Sequence, residues 1–323
     1  MSRQHIRDQW LREVFSAKAH EVKPLAGDAS FRSYHRVWVA ERQFVLMDAP
    51  PPEAPQQFVE IALLFREHGL SVPEIVASHL EHGFLLLSDL GDRLYLNELN
   101  DLSADGLYQD AFTAIFKMQR ITSALPFFDR PFLERQMGIF EEWYLEKNKG
   151  IIVSPEFKKI LEPVYDLLFQ TIENQPQVLV HRDYHSRNLM ILPEGSPGVL
   201  DFQDAVIGPI TYDLVSLLQD CYITWPRERV VNWVRDFQLQ ARKEGRLTGK
   251  ESEAEFLRWF DWTGLQRHLK NLGIFSRLHL RDNKPGYLAD IPRVLGYIQE
   301  TCGRYPELKN LQSLIKTLDG EAI

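Results

Sequence analysis

Short apolar runs and amphipathic stretches alternate over the first 90 residues of the chain. Compact runs rich in valine, leucine and aromatic residues predict strands, and apolar positions three and four apart predict helices. Pro50–Pro52 ends one of the strands, because proline lacks the amide hydrogen that a sheet needs. The pattern predicts a small twisted sheet with one inserted helix. The strands are expected at residues 31–39, 44–47, 75–77 and 84–87, and the helices at residues 3–15 and 55–68.

The polar segment Ser88–Asp92 interrupts this pattern, and helical spacing dominates after it. We therefore predict an α+β, two-lobed architecture, with a small antiparallel-sheet N-lobe at residues 1–90 and a larger helical C-lobe at residues 91–323. In the second lobe, helices are expected at residues 104–121, 140–147, 155–172, 212–221, 227–241, 251–275 and 291–302, and short strands at residues 178–180, 189–192 and 198–200.

Composition narrows the class of protein. The 323 residues suffice for two lobes with a sizeable core. The net charge of −8 argues against non-specific nucleic-acid binding, which needs a basic face, and no apolar run is long enough to span a bilayer. Cys221 and Cys302 are the only cysteines, so neither a disulfide framework nor a thiolate metal site is expected. We predict a cytoplasmic protein without nucleic-acid, membrane or obligatory protein partners.

A loop between two apolar runs carries the strongest chemical signal. It contains His181, Asp183 and Asn188, and Asp201 stands at the end of the next predicted strand. Phosphoryl transfer needs an aspartate that accepts or orients the proton of the attacking hydroxyl, and hard oxygen ligands that hold Mg²⁺ against a triphosphate. Asp183 suits the first task, and Asn188 and Asp201 suit the second. Each residue alone is common in structural loops, but the joint pattern predicts an ATP- and Mg²⁺-dependent kinase.

The segments HRDYHSRN, at residues 181–188, and DFQDA, at residues 201–205, resemble motifs of the aminoglycoside phosphotransferase and choline kinase branch of the protein-kinase-like fold. The resemblance covers nearly the whole chain. It implies a nucleotide-binding N-lobe and a C-lobe that holds the catalytic loop and the substrate site. It also implies that Asp183 is the catalytic base and that His181 braces the loop.

The same resemblance implies that Asn188 and Asp201 are the Mg²⁺ ligands. Asp213 matches an aspartate that opens the next helix and braces the catalytic loop in that family. Four stretches are also similar to bacterial sugar kinases that phosphorylate the anomeric hydroxyl of N-acetylmuramate and N-acetylglucosamine during cell-wall recycling. This closer similarity implies a small amino sugar as the acceptor. The stretches are residues 45–51, 201–205, 216–220 and 266–270.

Met47 occupies the strand position where the superfamily usually carries a lysine that pairs with phosphates. An apolar side chain cannot balance phosphate charge, so another cation is needed. Arg32 is the candidate substitute, because a guanidinium suits phosphate oxygens, although a solvated edge-strand arginine fits the sequence equally well. Glu60, which would normally pair with the lysine, is left without a defined role.

Other contacts with the nucleotide are predicted from position. Ser30 and the backbone near Gly27 are expected to cover the phosphates. The adenine is expected to lie against the main chain of Ser88, Asp89 and Leu90.

Acceptor contacts are predicted at Asp204, His185 and Arg187, which should face the mouth of the site. Arg187 suits a bond to loop carbonyls equally well. Arg267 opens a basic stretch, residues 267–281, that would receive the carboxylate of N-acetylmuramate if the fold brings it over the catalytic loop. Otherwise this stretch is a solvated helix face.

Two alternatives remain open at this point. Asp204, Asp220 and Asp261 would suit a cationic acceptor, which favours a kinase for aminoglycosides or another small alcohol. The second alternative comes from a different class: Met47 is compatible with a nucleotide-binding pseudokinase.

Overall fold

The computed structural model describes residues 2–18, 20–25 and 31–318. By compactness the chain divides into two units, and each is described by itself. The first comprises Met1–Lys117 and Arg187–Asp204, and the second comprises Met118–Ser186 and Ala205–Ile323. The predicted lobe boundary near residue 90 is a single cut in the sequence, whereas each compact unit combines two separate segments. That boundary stays a prediction.

A five-stranded antiparallel sheet forms the centre of the first unit, with strand order β1-β2-β3-β5-β4. Two helices accompany it, one before the first strand and one inserted after the third. The elements are α1 (Arg3–Val14), β1 (Glu21–Pro24), β2 (Ser33–Val39), β3 (Arg42–Asp48), α2 (Pro55–Glu67), β4 (Ile75–His79) and β5 (Phe84–Ser88).

The two faces of this sheet bury different sets of residues, because side chains alternate along a strand. Phe44 and Leu46 of β3 join Trp10 and Leu11 of α1 in one apolar cluster. Met47 points to the opposite face, is fully buried, and pairs with Tyr34 of β2. The predicted sheet with its inserted helix is therefore confirmed, with β1 as an additional edge strand.

The first unit also contains a short hairpin that packs against its sheet-bearing part. This hairpin, β7 (Leu189–Met190) and β8 (Gly198–Val199), follows α3 (Tyr95–Glu98) and α4 (Ala104–Gln119) in the chain. The amide of Val199 donates to the carbonyl of Ser71 at 2.7 Å. Phe202 packs on α2, with its ring 4.8 Å from that of Phe58. These contacts fix the residues that flank the hairpin.

The second unit is mainly helical, as the sequence predicts. Its central element is the long helix α9, which packs against α5, α6, α7, α8 and α10. The elements are α5 (Arg130–Ile139), α6 (Pro155–Glu173), β6 (Gln177–Val180), β9 (Val206–Pro209), α7 (Tyr212–Leu218), α8 (Arg227–Lys243), α9 (Glu253–Leu280), α10 (Ile291–Arg304) and α11 (Lys309–Leu318).

The segment Phe140–Asn148 continues α5 as a π-helix rather than the predicted α-helix. Gly273 of α9 lies against its start, where a Cβ would come within 2.4 Å of the carbonyl oxygen of Ile139. Only glycine allows the two backbones to approach so closely. None of the helices in the described part of the chain is both long and apolar enough to cross a bilayer.

Candidate active site

The loop predicted to be catalytic leaves strand β6 at His181, and its backbone is held by Asp213, near the start of α7. The backbone amides of His181 and Arg182 donate to the two carboxylate oxygens of Asp213 at 2.7 and 3.0 Å. Arg182 has a φ of 78°, a left-handed conformation that costs a non-glycine residue free energy unless its surroundings impose it. Asp213 supplies that restraint by binding the backbone amides of His181 and Arg182. These contacts fit the bracing role that the resemblance implies.

His181 adds a second restraint inside the loop. Its ring is fully buried, and its Nδ1 accepts the amide hydrogen of Asp183 at 3.2 Å. The ring also stands edge-on to Tyr184, at 5.7 Å between centroids. His181 therefore fixes the backbone of the proposed base, which fits the bracing role that the resemblance implies.

A second buried aspartate holds the far end of the loop. Asp220 accepts hydrogen bonds from both the amide and the hydroxyl of Ser186. Its other oxygen accepts the amide hydrogen of Tyr222 at 3.0 Å. The loop is thus anchored at both ends by carboxylates that are themselves excluded from water. Such anchoring gives the preorganisation that a catalytic residue between the anchors needs.

Asp183 lies between these anchors, with its side chain 40% exposed. One oxygen is 4.0 Å from a guanidinium nitrogen of Arg267. Burial raises the pKa of Asp183, but the charges of Lys270, His185 and Arg267 outweigh it and hold that pKa well below the usual range. Asp183 is therefore an ionised carboxylate at neutral pH.

Asp213 titrates differently. Burial raises the pKa of Asp213 to about 7, although the amide hydrogens of His181 and Arg182 oppose the shift. The neighbouring negative charge of Asp183 raises it further.

The first unit carries the predicted metal ligands at the open end of the β7–β8 hairpin. Asn188 immediately precedes β7, and its carbonyl accepts the amide hydrogen of Leu200 at 2.9 Å. Asp201 is the next residue, so the hairpin pairing brings the two predicted ligands to the same end. Asp201 has a φ of 60°, and its Oδ1 accepts a hydrogen bond from Gln203 Nε2 at 2.8 Å.

This donor set suits Mg²⁺. Carboxylate and amide oxygens are hard ligands, and Mg²⁺ is commonly held by one or two carboxylates together with substrate phosphates and water. Among the described residues no group of three His, Cys, Asp or Glu side chains is arranged for a metal. The donor chemistry at this end of the hairpin therefore fits an ion shared with a nucleotide better than a closed protein cage.

Arg32 lies beside Asp201. Its Nη1 is 3.6 Å from Asp201 Oδ1, and its Nε donates to Glu53 Oε2 at 2.7 Å. The arginine and Glu53 are both mostly buried, so Arg32 is not the solvated edge residue of the alternative interpretation. Glu60 is exposed on α2, and Met47 is fully buried. Arg32, beside the predicted metal aspartate, is therefore paired with Glu53, a partner that the sequence does not indicate.

The segment Ser88–Leu90, predicted to lie against the adenine, makes several contacts within the first unit. Ser88 and Glu74 exchange two hydrogen bonds, each of 2.8 Å. The Asp89 carboxylate forms an ion pair with Arg36 at 2.6 Å, which leaves the main chain of this segment as the predicted contact with the nucleotide. Leu90 packs near Gly198 of the hairpin. Ser30 and the turn at Gly27 lie outside the described residues.

The predicted acceptor residues differ in exposure. Asp204 and Arg187 are exposed, and His185 is half-buried with its ring edge-on to Tyr222 at 5.3 Å. Arg267 is almost fully buried, as are His268 and Lys270 behind it. The first part of the basic stretch is therefore not a solvated helix face, and Arg267 does lie against the catalytic loop.

Two of the three acids that would suit a cationic acceptor are occupied inside the second unit. Asp220 holds Ser186, and Asp261 is fully buried in a two-pronged ion pair with Arg227, at 2.6 and 2.7 Å. Only Asp204 of the three is exposed. This arrangement does not favour an aminoglycoside as the acceptor.

Comparison with known proteins agrees with this chemistry. Residues 21–262 match the phosphotransferase enzyme family, and the chain belongs to that family. The protein is therefore an enzyme that transfers phosphate.

Among its relatives, the N-acetylmuramate/N-acetylglucosamine kinase of Pseudomonas putida is 44% identical over 324 residues, which cover 98% of this chain and 95% of that protein. The enzyme of the same name from Neisseria meningitidis serogroup B is 37% identical over 329 residues, covering 99% and 97%.

Solved structures show the fold. An ethanolamine kinase of Plasmodium vivax superposes with a TM-score of 0.68 at 12% identity, covering 93% of this chain and 87% of that one. An ADP-bound aminoglycoside phosphotransferase superposes with a TM-score of 0.59 at 16% identity, covering 91% and 97%. The predicted two-lobed, protein-kinase-like α+β fold is thereby confirmed.

Proposed function

We propose that the protein is an ATP-dependent kinase that phosphorylates the anomeric hydroxyl of N-acetylmuramate, N-acetylglucosamine or both. The observation that carries this proposal is its similarity, along almost the whole chain, to enzymes named as kinases of these two sugars. The braced and ionised Asp183 supports it, because phosphoryl transfer needs a fixed carboxylate at the acceptor hydroxyl. A cytoplasmic role in recycling cell-wall sugars completes the proposal.

Asp183 is the residue that meets the acceptor. Its carboxylate accepts the hydrogen bond of the sugar hydroxyl and points the oxygen at the γ-phosphate, while His181 holds its backbone. Asn188 and Asp201 hold Mg²⁺, which neutralises phosphate charge when bound. Asp204, His185 and Arg187 contact the sugar from the rim of the site.

Arg32 supplies the charge that Met47 lacks. The Arg32 guanidinium pairs with Glu53 and lies beside Asp201, and a planar guanidinium suits phosphate oxygens. Ser30 covers the phosphates, and the main chain at Ser88, Asp89 and Leu90 receives the adenine. A non-catalytic relative is disfavoured, because the chain carries a candidate base, two candidate metal ligands and a candidate substitute cation, and because its relatives are named as kinases.

The test is a panel of acceptors assayed for ATP consumption: both N-acetylated sugars, glucosamine, choline and two aminoglycosides. Turnover of N-acetylmuramate or N-acetylglucosamine, lost in Asp183→Asn, supports the proposal. Asp282→Asn serves as the matched control, since Asp282 is an aspartate engaged with Arg281 on the surface. Turnover of an aminoglycoside or choline with neither N-acetylated sugar consumed would overturn it.

A further inference from the structure

Helix α9 places two cations inside the second unit. Arg267 and Lys270 are 2% and 4% exposed, and residues three apart share one face of a helix. Removing a charged side chain from water is costly, and it is tolerated when an opposite charge or strong hydrogen bonds compensate. The groups around these two side chains therefore indicate which negative charge or hydrogen bonds compensate them.

Arg267 reaches one carboxylate. Its Nη2 lies 4.0 Å from Asp183 Oδ1, and its Nη1 lies 3.8 Å from the sulfur of Cys221. Within the described part of the chain, Asp183 is the only acid within 4.0 Å of this guanidinium. Lys270 donates to the hydroxyl of Tyr212 at 3.2 Å. Burial raises the pKa of the Cys221 thiol, so this thiol supplies no negative charge at neutral pH.

The other two acids near the loop are already engaged. Asp213 accepts two backbone amides, and Asp220 accepts the amide and hydroxyl of Ser186. Asp183 differs from both in that its side chain is 40% exposed, while the guanidinium 4.0 Å from it is almost fully buried. A carboxylate next to a buried cation and still accessible from solvent is suited to meet a ligand.

We propose that Arg267 and Lys270 are positioning residues that keep Asp183 ionised and fixed, so that it orients the acceptor hydroxyl without first removing its proton. The inference rests on the proposed function in that Asp183 meets this hydroxyl. As the new bond forms between the acceptor oxygen and the γ-phosphorus, the bond to the bridging oxygen breaks and its electron pair leaves with ADP. The hydroxyl proton passes to Asp183 during bond formation and then to water.

The charges around Asp183 support this role. The cations that face it are Arg182 and His185 from its own loop, together with Arg267 and Lys270 from α9. The opposing charge comes from Asp213 of α7. The positive charges prevail and lower the pKa of the Asp183 carboxyl, which makes it a weak base. A weak base is sufficient for a loose transition state, in which the acceptor oxygen has formed little bond to phosphorus.

The burial of Arg267 also separates two interpretations of the basic stretch. A side chain that is 2% exposed has little surface to offer the carboxylate of a sugar, whereas its contact with Asp183 is direct. Arg267 therefore acts through Asp183, and specificity for the sugar falls to exposed residues of the rim.

The experiment compares Arg267→Gln, Arg267→Lys and Lys270→Gln with Arg258→Gln. Arg258 is a matched control, since it lies on the same helix but pairs with Glu307 at the surface. Two quantities are measured: kcat and KM from pH 4 to pH 9, and the titration of the Asp183 carboxyl carbon by NMR in protein labelled at aspartate. Thermal melting confirms that each variant is folded.

We expect the Asp183 carboxyl in Arg267→Gln to titrate at least about one pH unit higher than in the native protein, because an adjacent opposite charge lowers a carboxyl pKa by roughly one to three units. At neutral pH we expect kcat to fall about tenfold or more, since orientation is lost, with the KM for ATP changed less than about twofold. Arg267→Lys should recover most of kcat, and Lys270→Gln should shift the titration in the same direction.

An unchanged titration in folded Arg267→Gln, or a failure of Arg267→Lys to outperform it, would overturn the proposal. If Arg267→Gln does not fold, Lys270→Gln and Arg267→Lys carry the same comparison. The titration needs no substrate, so it decides this inference even if neither N-acetylated sugar is phosphorylated. That last result would contradict the proposed function alone.

Discussion

Replacing Asp213 by asparagine tests how much the catalytic loop depends on one buried carboxylate. Asp213 is fully buried, and its two oxygens accept the amides of His181 and Arg182. Asparagine keeps a single carbonyl oxygen and turns an NH₂ group towards the second donor. One charged hydrogen bond is lost, and one buried N–H is left without an acceptor.

These losses set the expected magnitude. A hydrogen bond to a charged group contributes about 1.5–3 kcal/mol, and an unsatisfied buried donor costs about 1–3 kcal/mol. Partial relaxation of the loop lowers the sum, so we expect Asp213→Asn to reduce the free energy of unfolding by about 3 kcal/mol. Arg182 is then no longer held at its φ of 78°, and Asp183 loses its fixed direction. We expect kcat to fall roughly a hundredfold, as it does when a catalytic group is misplaced.

The matched control is Asp261→Asn. Asp261 is equally buried, but it binds Arg227 and the hydroxyl of Tyr305 rather than the catalytic loop. It should lose comparable stability and keep its kcat. Unfolding by urea and saturated turnover are measured near pH 8, above the pKa of about 7 that burial gives Asp213, so that a carboxylate is compared with an amide. A folded Asp213→Asn with native kcat, or equal loss of kcat in both variants, would contradict the bracing role of Asp213.

Two further predictions concern Arg32 of the first unit and His268 of the second. Arg32→Met should weaken ADP binding about tenfold or more, because it removes a charge-assisted contact with phosphate. Adenosine binding should stay unchanged, and Arg32→Lys should weaken ADP binding less than Arg32→Met does. Calorimetry that finds equal ADP affinities in Arg32→Met and the native protein would contradict the role of Arg32. Burial lowers the pKa of His268 to about 3, so below about pH 6.5 the unfolded chain binds a proton that the folded chain does not. The free energy of unfolding should therefore fall by up to about 1.4 kcal/mol per pH unit as the pH drops below about 6.5, and His268→Gln should remove this slope. An identical pH dependence in the variant would count against it.

Most helices could be predicted from the sequence because their signals are local, whereas the catalytic role of the loop at residues 181–188 stays a prediction. His181 to Asn188 has a fixed spacing within one loop, and the helical periodicity of α2, α6 and α8 repeats every few residues. The segment Phe140–Asn148 shows the limit of that signal. Apolar spacing alone does not separate an α-helix from a π-helix over so short a length.

Other features depend on contacts between distant residues. Glu53 is 21 residues from Arg32, and nothing in the local sequence marks them as a pair. Arg267 and Lys270 belong to a helix that is buried on nearly all sides, so the usual rule that charged residues mark the solvent face does not apply. What buries these charges is the packing of α9 among its neighbours, which periodicity does not reveal.

The proposed reaction transfers phosphate from ATP to the anomeric oxygen of an N-acetylated amino sugar. Proton–phosphorus correlation NMR of the product formed from N-acetylmuramate, ATP and Mg²⁺ identifies the oxygen that receives the phosphate. We expect a phosphorus signal coupled to the anomeric proton, absent when Asp183→Asn replaces the native enzyme. A phosphorus signal coupled only to another ring position, or no sugar phosphate from either N-acetylated sugar, would contradict it.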